Sequence, residues 1–164
     1  MPSPFRPALA LVALLLATQA PFAAEREGDG EQARRPPPAV LLPAYRQECG
    51  ACHLAYAPAL LPAPAWQQLM DTLPKHFGTD ASLDDATRRT LSTWLAARAA
   101  QRGRSDAVPA QNRITRAAWF VREHREVPAS TWTSPAVKSA SRCDACHLHA
   151  EQGNFDEHDI RIPR

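Results

Sequence analysis

The 164-residue chain carries 19 Lys and Arg against 17 Asp and Glu, with 16 Pro and only six Gly. That length suits a single domain, and a charge balance this close to zero does not suggest nucleic acid as a partner. Four cysteines and six histidines remain as the residues able to carry special chemistry.

Arg6 precedes an unbroken apolar run from Ala8 to Ala17, and small residues follow. This predicts a secretory signal peptide over 1–24 and therefore a periplasmic protein. The run is too short for a bilayer-spanning helix, which needs about 20 apolar residues, so the mature chain is expected to be peripheral to a membrane at most. Residues 25–43, EREGDGEQARRPPPAVLLP, mix charge, Gly and a triple proline without any period, which predicts a flexible Pro-rich leader. Removal of 1–24 takes away Arg6 and no acidic residue, leaving the remainder nearly neutral.

From Ala44 onward every periodic signal is helical, and the predicted fold class is all-α. A first helix runs from Ala44 into Cys49 and ends before the Pro58, Pro62 and Pro64 cluster. The second is expected from about Pro64 to Leu73, where Trp66, Leu69, Met70 and Leu73 fall on one stripe. Pro74 should stop it, and Lys75-His76-Phe77-Gly78 should form the turn that follows. A third helix is expected to start at Ser82 as N-cap, with Asp84 and Asp85 in its first turn and Leu91, Trp94 and Leu95 on its apolar face. Arg98, Arg102 and Arg104 lie near its end and Gly103 closes it. The fourth is predicted over about Thr115–Glu126, with Ala117, Phe120, Val121 and His124 sharing a face and Pro128 stopping it. A last helix is expected to begin at Ser134-Pro135 and to carry Cys143–His147. The domain is read as 44–164, with a first part over about 44–104 and a second over about 105–164.

The four cysteines form two identical patterns, Cys49-Gly50-Ala51-Cys52-His53 and Cys143-Asp144-Ala145-Cys146-His147. CxxCH is the pattern of c-type heme attachment. Residues i, i+3 and i+4 share a helix face, so two thiols and an imidazole can converge on one flat group. The thiols add to the heme vinyls and the imidazole takes the iron. Two heme c groups are therefore expected, held by Cys49 and Cys52 with His53, and by Cys143 and Cys146 with His147. Two disulfides would leave the adjacent histidines without a use, a cysteine-rich zinc site is the other rival, and a thioredoxin-like redox pair lacks its βαβ context.

Each iron has a sixth position, and His76 and His124 are the spare histidines placed to fill them. His76 follows a buried stripe and is flanked by Phe77 and Gly78; His124 ends an apolar face. His149 lies two residues past His147, on the other side of a helix, and is read as a surface residue. His158 sits in the charged Asp156–Asp159 tail and is a reserve candidate only. Met70, the sole methionine after Met1, falls on the Trp66 stripe and is read as core. Two irons with histidine on both sides, lacking methionine, should have low reduction potentials. Arg113, Arg116, Arg122 and Arg125 either pair with heme propionates or form a solvated basic face. Trp66, Trp94, Trp119 and Trp132 are read as heme-pocket and core packing.

The segments ECGACH, LPAPAWQQLM, KHFG, ITRAAWFVREHREV, CDACH and FDEHDIRIP together resemble the bacterial diheme cytochrome c (DHC) family over most of the mature chain. The resemblance implies a periplasmic electron carrier, not an enzyme, with a class-I-like N-terminal part. It implies His53 and His147 as proximal ligands and supports His76 and His124 as distal ones; pairing His76 with His53 and His124 with His147 follows from chain proximity. It also implies redox partners of two kinds, a monoheme c-type cytochrome and a membrane cytochrome b. The alternative function is that of a diheme electron-transfer subunit in a periplasmic reductase complex.

Overall fold

The computed structural model describes residues 40–100 and 107–163. The expected signal peptide, most of the leader, and Arg102, Gly103 and Arg104 lie outside the described residues. Among those described the secondary structure is helical without strands, and no helix is long and apolar enough to cross a membrane.

Helix α1 spans Pro43–Gly50 and places proline in its first turn, where the missing N–H costs nothing. Its buried residue, Tyr45, stands at the centre of the N-terminal core. The chain then turns through a 3-10 segment at Pro58–Leu60, whose Pro58 carbonyl accepts a 2.7 Å bond from Trp66 Nε1–H. Helix α2, Ala63–Asp71, again starts with proline in its first turn and buries Ala65, Trp66 and Met70. Leu73 continues that buried stripe from the following 3-10 turn, Leu73–Lys75, while Leu69 is only partly buried.

Helix α3, Asp85–Arg98, is the longest described and packs along α2 with Leu91, Trp94 and Leu95. Its N-cap is Asp84, not Ser82: Asp84 Oδ1 accepts from the amides of Ala86 and Thr87, both at 3.0 Å. Ser82 is drawn instead into a local turn in which Asp80 accepts from both its amide and its hydroxyl. A carboxylate one residue from the helix satisfies two orphan amides that Ser82, three residues away, does not. The helix ends at Arg98, where Ala99 becomes extended and the Ala100 amide bonds to Leu61 O at 2.9 Å.

The C-terminal residues are built differently. Helix α4, Ala118–Glu123, has six residues and helix α5, Ala129–Thr133, five. The expected fourth helix does not start at Thr115, because Ala117 is extended between a 3-10 turn at Ile114–Arg116 and α4. Phe120 and Val121 lie next to each other in α4, about 100° apart around its axis; Phe120 is buried and Val121 is 59% exposed, contrary to the shared face expected of them. No helix begins at Ser134-Pro135 to carry the second motif. Ser134 caps a single turn, accepting from the Val137 and Lys138 amides, and Lys138 at φ 67 ends it. Cys143–Ala145 is an isolated 3-10 turn.

The continuous core cluster comprises Leu41 to Ala99, with Ile114 packed against it. Beyond residue 107 the buried apolar residues are Ala117, Phe120, Val137 and Ala150. Helices of five or six residues have no stability of their own in water and need an apolar surface to pack on.

Candidate heme sites

In the first motif only Cys49 and Gly50 belong to α1. Cys52 and His53 follow in the turn after it. Convergence on one object therefore comes from a helix end and a turn, not from the single helix face that the spacing suggested. Cys49 is half-buried, and burial together with the neighbouring Glu48 carboxylate pushes its thiol up to about 11. Cys143 is likewise held at about 11 by burial and by Asp144. Neither is a thiolate at neutral pH, unlike the attacking cysteine of a redox pair. Among the described residues no disulfide joins the four cysteines, and no group of three or more His, Cys, Asp and Glu is arranged to hold a bare metal ion.

Four of the six histidines come together in two pairs. The rings of His53 and His76 face each other with centroids 6.1 Å apart and planes at 21°. Those of His124 and His147 are also 6.1 Å apart, with planes at 73°. Neither pair is in hydrogen-bond contact with itself. Two metal–nitrogen bonds of about 2 Å each, plus roughly 1 Å from each nitrogen to its ring centre, put trans imidazoles about 6 Å apart. The spacing fits one iron between each pair.

The hydrogen bonds fit as well. His53 Nδ1–H donates to Leu54 O at 2.8 Å and His124 Nδ1–H donates to Phe120 O at 2.9 Å, which leaves Nε2 of each ring with its lone pair free. A carbonyl on the far nitrogen also orients the ring and strengthens it as a ligand. Nδ1 of His76 and of His147 is buried without a partner. Burial lowers the pKa of both rings, assisted by His53 and His124 respectively, and so favours the neutral imidazole that binds iron. A flat macrocycle beside each pair would also supply the apolar surface that the short C-terminal helices lack.

Local backbone positions each ring. His76 begins a tight turn closed by the Thr79 amide to His76 O at 3.0 Å. Phe77 at φ 50 and Gly78 at φ 99 give that turn its left-handed corner, and only glycine takes the second value easily. Phe77 packs edge-on 4.8 Å from His76, and the Arg113 guanidinium lies 4.3 Å from the Phe77 ring centre. His124 is the C-cap of α4 and stacks at 4.0 Å on Phe120, one helical turn earlier, with Trp132 of α5 at 5.7 Å. His147 is held by the tail. Phe155 lies 5.3 Å from its ring, the Arg161 amide donates to Cys146 O at 2.8 Å, and His147 forms an antiparallel bridge with Ile160.

Other candidates stand apart from these pairs. His149 is exposed, and His158 is an exposed ring whose Nδ1 lies 2.8 Å from Asp156 Oδ1. Met70 is buried in the core cluster. Arg122 and Arg125 pair with their neighbours Glu123 and Glu126 on the surface. A residue beside these pairs that the sequence did not single out is Tyr56. Its ring stacks 5.1 Å from His53, and its hydroxyl donates to Ser141 O at 2.7 Å, across 85 residues of chain. A cleft of about 380 Å³ runs between the two motif regions, bordered by Arg46, Gly50 and His53 on one side and Asp144, Glu151 and Gln152 on the other.

A helical chain with two CxxCH segments, each beside a facing pair of imidazoles, defines a c-type cytochrome. Residues 45–155 match the dihaem cytochrome c family model. A diheme cytochrome type c from Shewanella baltica OS155 is similar at 39% identity, covering 74% of this chain and 92% of that one with a TM-score of 0.65. A diheme cytochrome c from Rhodobacter sphaeroides is similar at 44% identity over 71% of this chain and 98% of that one, in two solved structures with TM-scores of 0.63 and 0.58. No curated protein matches the chain. The chain belongs to the dihaem cytochrome c family, and so is an electron-transfer protein with two c-type hemes.

Proposed function

We propose that the chain is an exported electron carrier whose two hemes are attached through Cys49 and Cys52 and through Cys143 and Cys146. His53 and His76 ligate the first iron, and His147 and His124 the second. Each heme, when bound, supplies a one-electron Fe(III)/Fe(II) couple. The observation that carries the reading is the 6.1 Å facing distance found independently in both imidazole pairs.

The residues act by orienting and insulating. The Leu54 and Phe120 carbonyls hold the Nδ1–H of His53 and His124 and keep Nε2 aimed inward. The carbonyl partners raise ligand basicity, which favours the oxidised iron and lowers the potential. Phe120, Trp132 and Phe155 pack apolar rings against the imidazoles of the second pair. Were His53 and His76 to hold one iron and His147 and His124 the other, no position would be left for a substrate, which supports a carrier over an enzyme. Export and a periplasmic location rest on the signal-peptide reading of 1–24. The partners we propose are a membrane cytochrome b as donor and a monoheme c-type cytochrome as acceptor.

Carbon monoxide tests the closed coordination. The reduced holoprotein should show the low-spin spectrum of two hemes, unchanged on addition of the gas. Rapid formation of a carbonyl complex at either heme would contradict the assignment and favour a gas-binding or peroxidase function.

A further inference from the structure

Among the described residues, Tyr56 joins the two motif regions from both ends of its side chain. Its ring stacks on the otherwise exposed His53 imidazole, with centroids 5.1 Å apart and planes at 27°. Its hydroxyl reaches Ser141 O at 2.7 Å, two residues before Cys143. Its own carbonyl accepts a 2.8 Å bond from Tyr45 Oη–H, so the residue is fixed to the N-terminal core as well. We infer that Tyr56 is a positioning residue for both heme sites: the ring sets the plane of the first proximal imidazole, and the hydroxyl ties that ring to the segment entering the second attachment motif.

The inference rests on the assignment of His53 and His76 to one iron and His124 and His147 to the other. Tyr56 itself exchanges no electron or proton in this role.

Imidazole planes are readable. Each ring interacts with the iron d orbital perpendicular to its own plane. Near-parallel rings, as in the 21° pair, both act on the same orbital and split it from its partner, which gives a rhombic low-spin resonance. Crossed rings, as in the 73° pair, act on one orbital each and leave the two close in energy, which gives a highly anisotropic low-spin resonance. The two hemes should therefore be distinguishable in one spectrum, and the rhombic one reports on His53.

The experiment is electron paramagnetic resonance of the oxidised holoprotein, together with amide hydrogen exchange over 139–146, for wild type, Tyr56→Phe and Tyr56→Leu. Wild type should show one signal of each kind. Tyr56→Leu should shift or broaden the rhombic signal and leave the anisotropic one in place. Tyr56→Phe should restore the rhombic signal, because the ring remains, while exchange over 139–146 rises about fivefold, the worth of one partly exposed hydrogen bond. An unaltered rhombic signal in Tyr56→Leu overturns the ring's role. Wild-type exchange in Tyr56→Phe overturns the hydroxyl's role, and this measurement decides alone if Tyr56→Leu fails to take up heme. A high-spin signal in the wild type is a separate result and refutes the ligand assignment itself.

Discussion

Removing the hydroxyl of Tyr45 should weaken the N-terminal core by an amount that depends on pH in a defined way. Tyr45 is 2% exposed, lies 5.0 Å from Trp94 and 6.5 Å from Trp66, and donates to Tyr56 O at 2.8 Å. Tyr45→Phe keeps both ring contacts and loses one buried hydrogen bond, a cost of about 1 kcal/mol at pH 7. For a domain of this size that lowers the thermal midpoint by roughly 4 °C. Burial raises the Tyr45 pKa well above the ordinary tyrosine value, and the neighbouring Tyr56 adds to it. The unfolded chain therefore gives up this proton above about pH 10 while the folded chain keeps it. Stability from Tyr45 is complete below that pH and declines as pH rises, by at most about 1.4 kcal/mol per unit. Urea unfolding of the holoprotein, followed by circular dichroism at pH 7, 9, 10 and 11, gives both quantities. The wild-type advantage over Tyr45→Phe should be constant to pH 9 and shrink at pH 10 and 11. A difference that stays constant to pH 11 would refute the claim that the folded core holds this phenol neutral.

Asp84→Ala should lower the thermal midpoint by a few degrees without altering the heme spectrum, because two amides at the start of α3 lose their acceptor; Asp84→Asn should recover most of the loss. Phe120→Ala should destabilise the C-terminal part by about 3–5 kcal/mol, as a buried aromatic does. Its ring is stacked at 4.0 Å on His124, so the visible and resonance spectra should change for one heme and not for the other.

The helices that bury their own apolar faces were legible in the sequence. The Trp66–Met70–Leu73 stripe and the Leu91–Trp94–Leu95 face both lie in the core, because in those stretches side-chain pattern and packing coincide. The C-terminal helices were not legible, since their stability comes from what they pack on and not from their own periodicity. Val121 belongs to the apolar pattern around Phe120 and yet is exposed, because a helix of six residues buries one side chain, Phe120, and Val121 lies about 100° around the axis from it. The CxxCH motifs were visible because covalent attachment demands fixed residue types at fixed spacing. Their helical setting was not, since Cys52 and His53 lie in a turn and Cys143 in a 3-10 segment. Tyr56 carried no local signal at all: its importance lies in a bond to Ser141 that no short window contains. The tail quoted for its resemblance gained a physical reason only in three dimensions, where Ile160 and Arg161 pair with the second motif.

The central claim is that His76 and His124 each close one iron, and substituting them tests it most directly. In holoprotein carrying two hemes, His76→Ala and His124→Ala should each convert one heme to high spin and leave the other low spin, and the double variant should convert both. Retention of two low-spin hemes in either single variant would contradict the account, since that iron would then be held by a different residue.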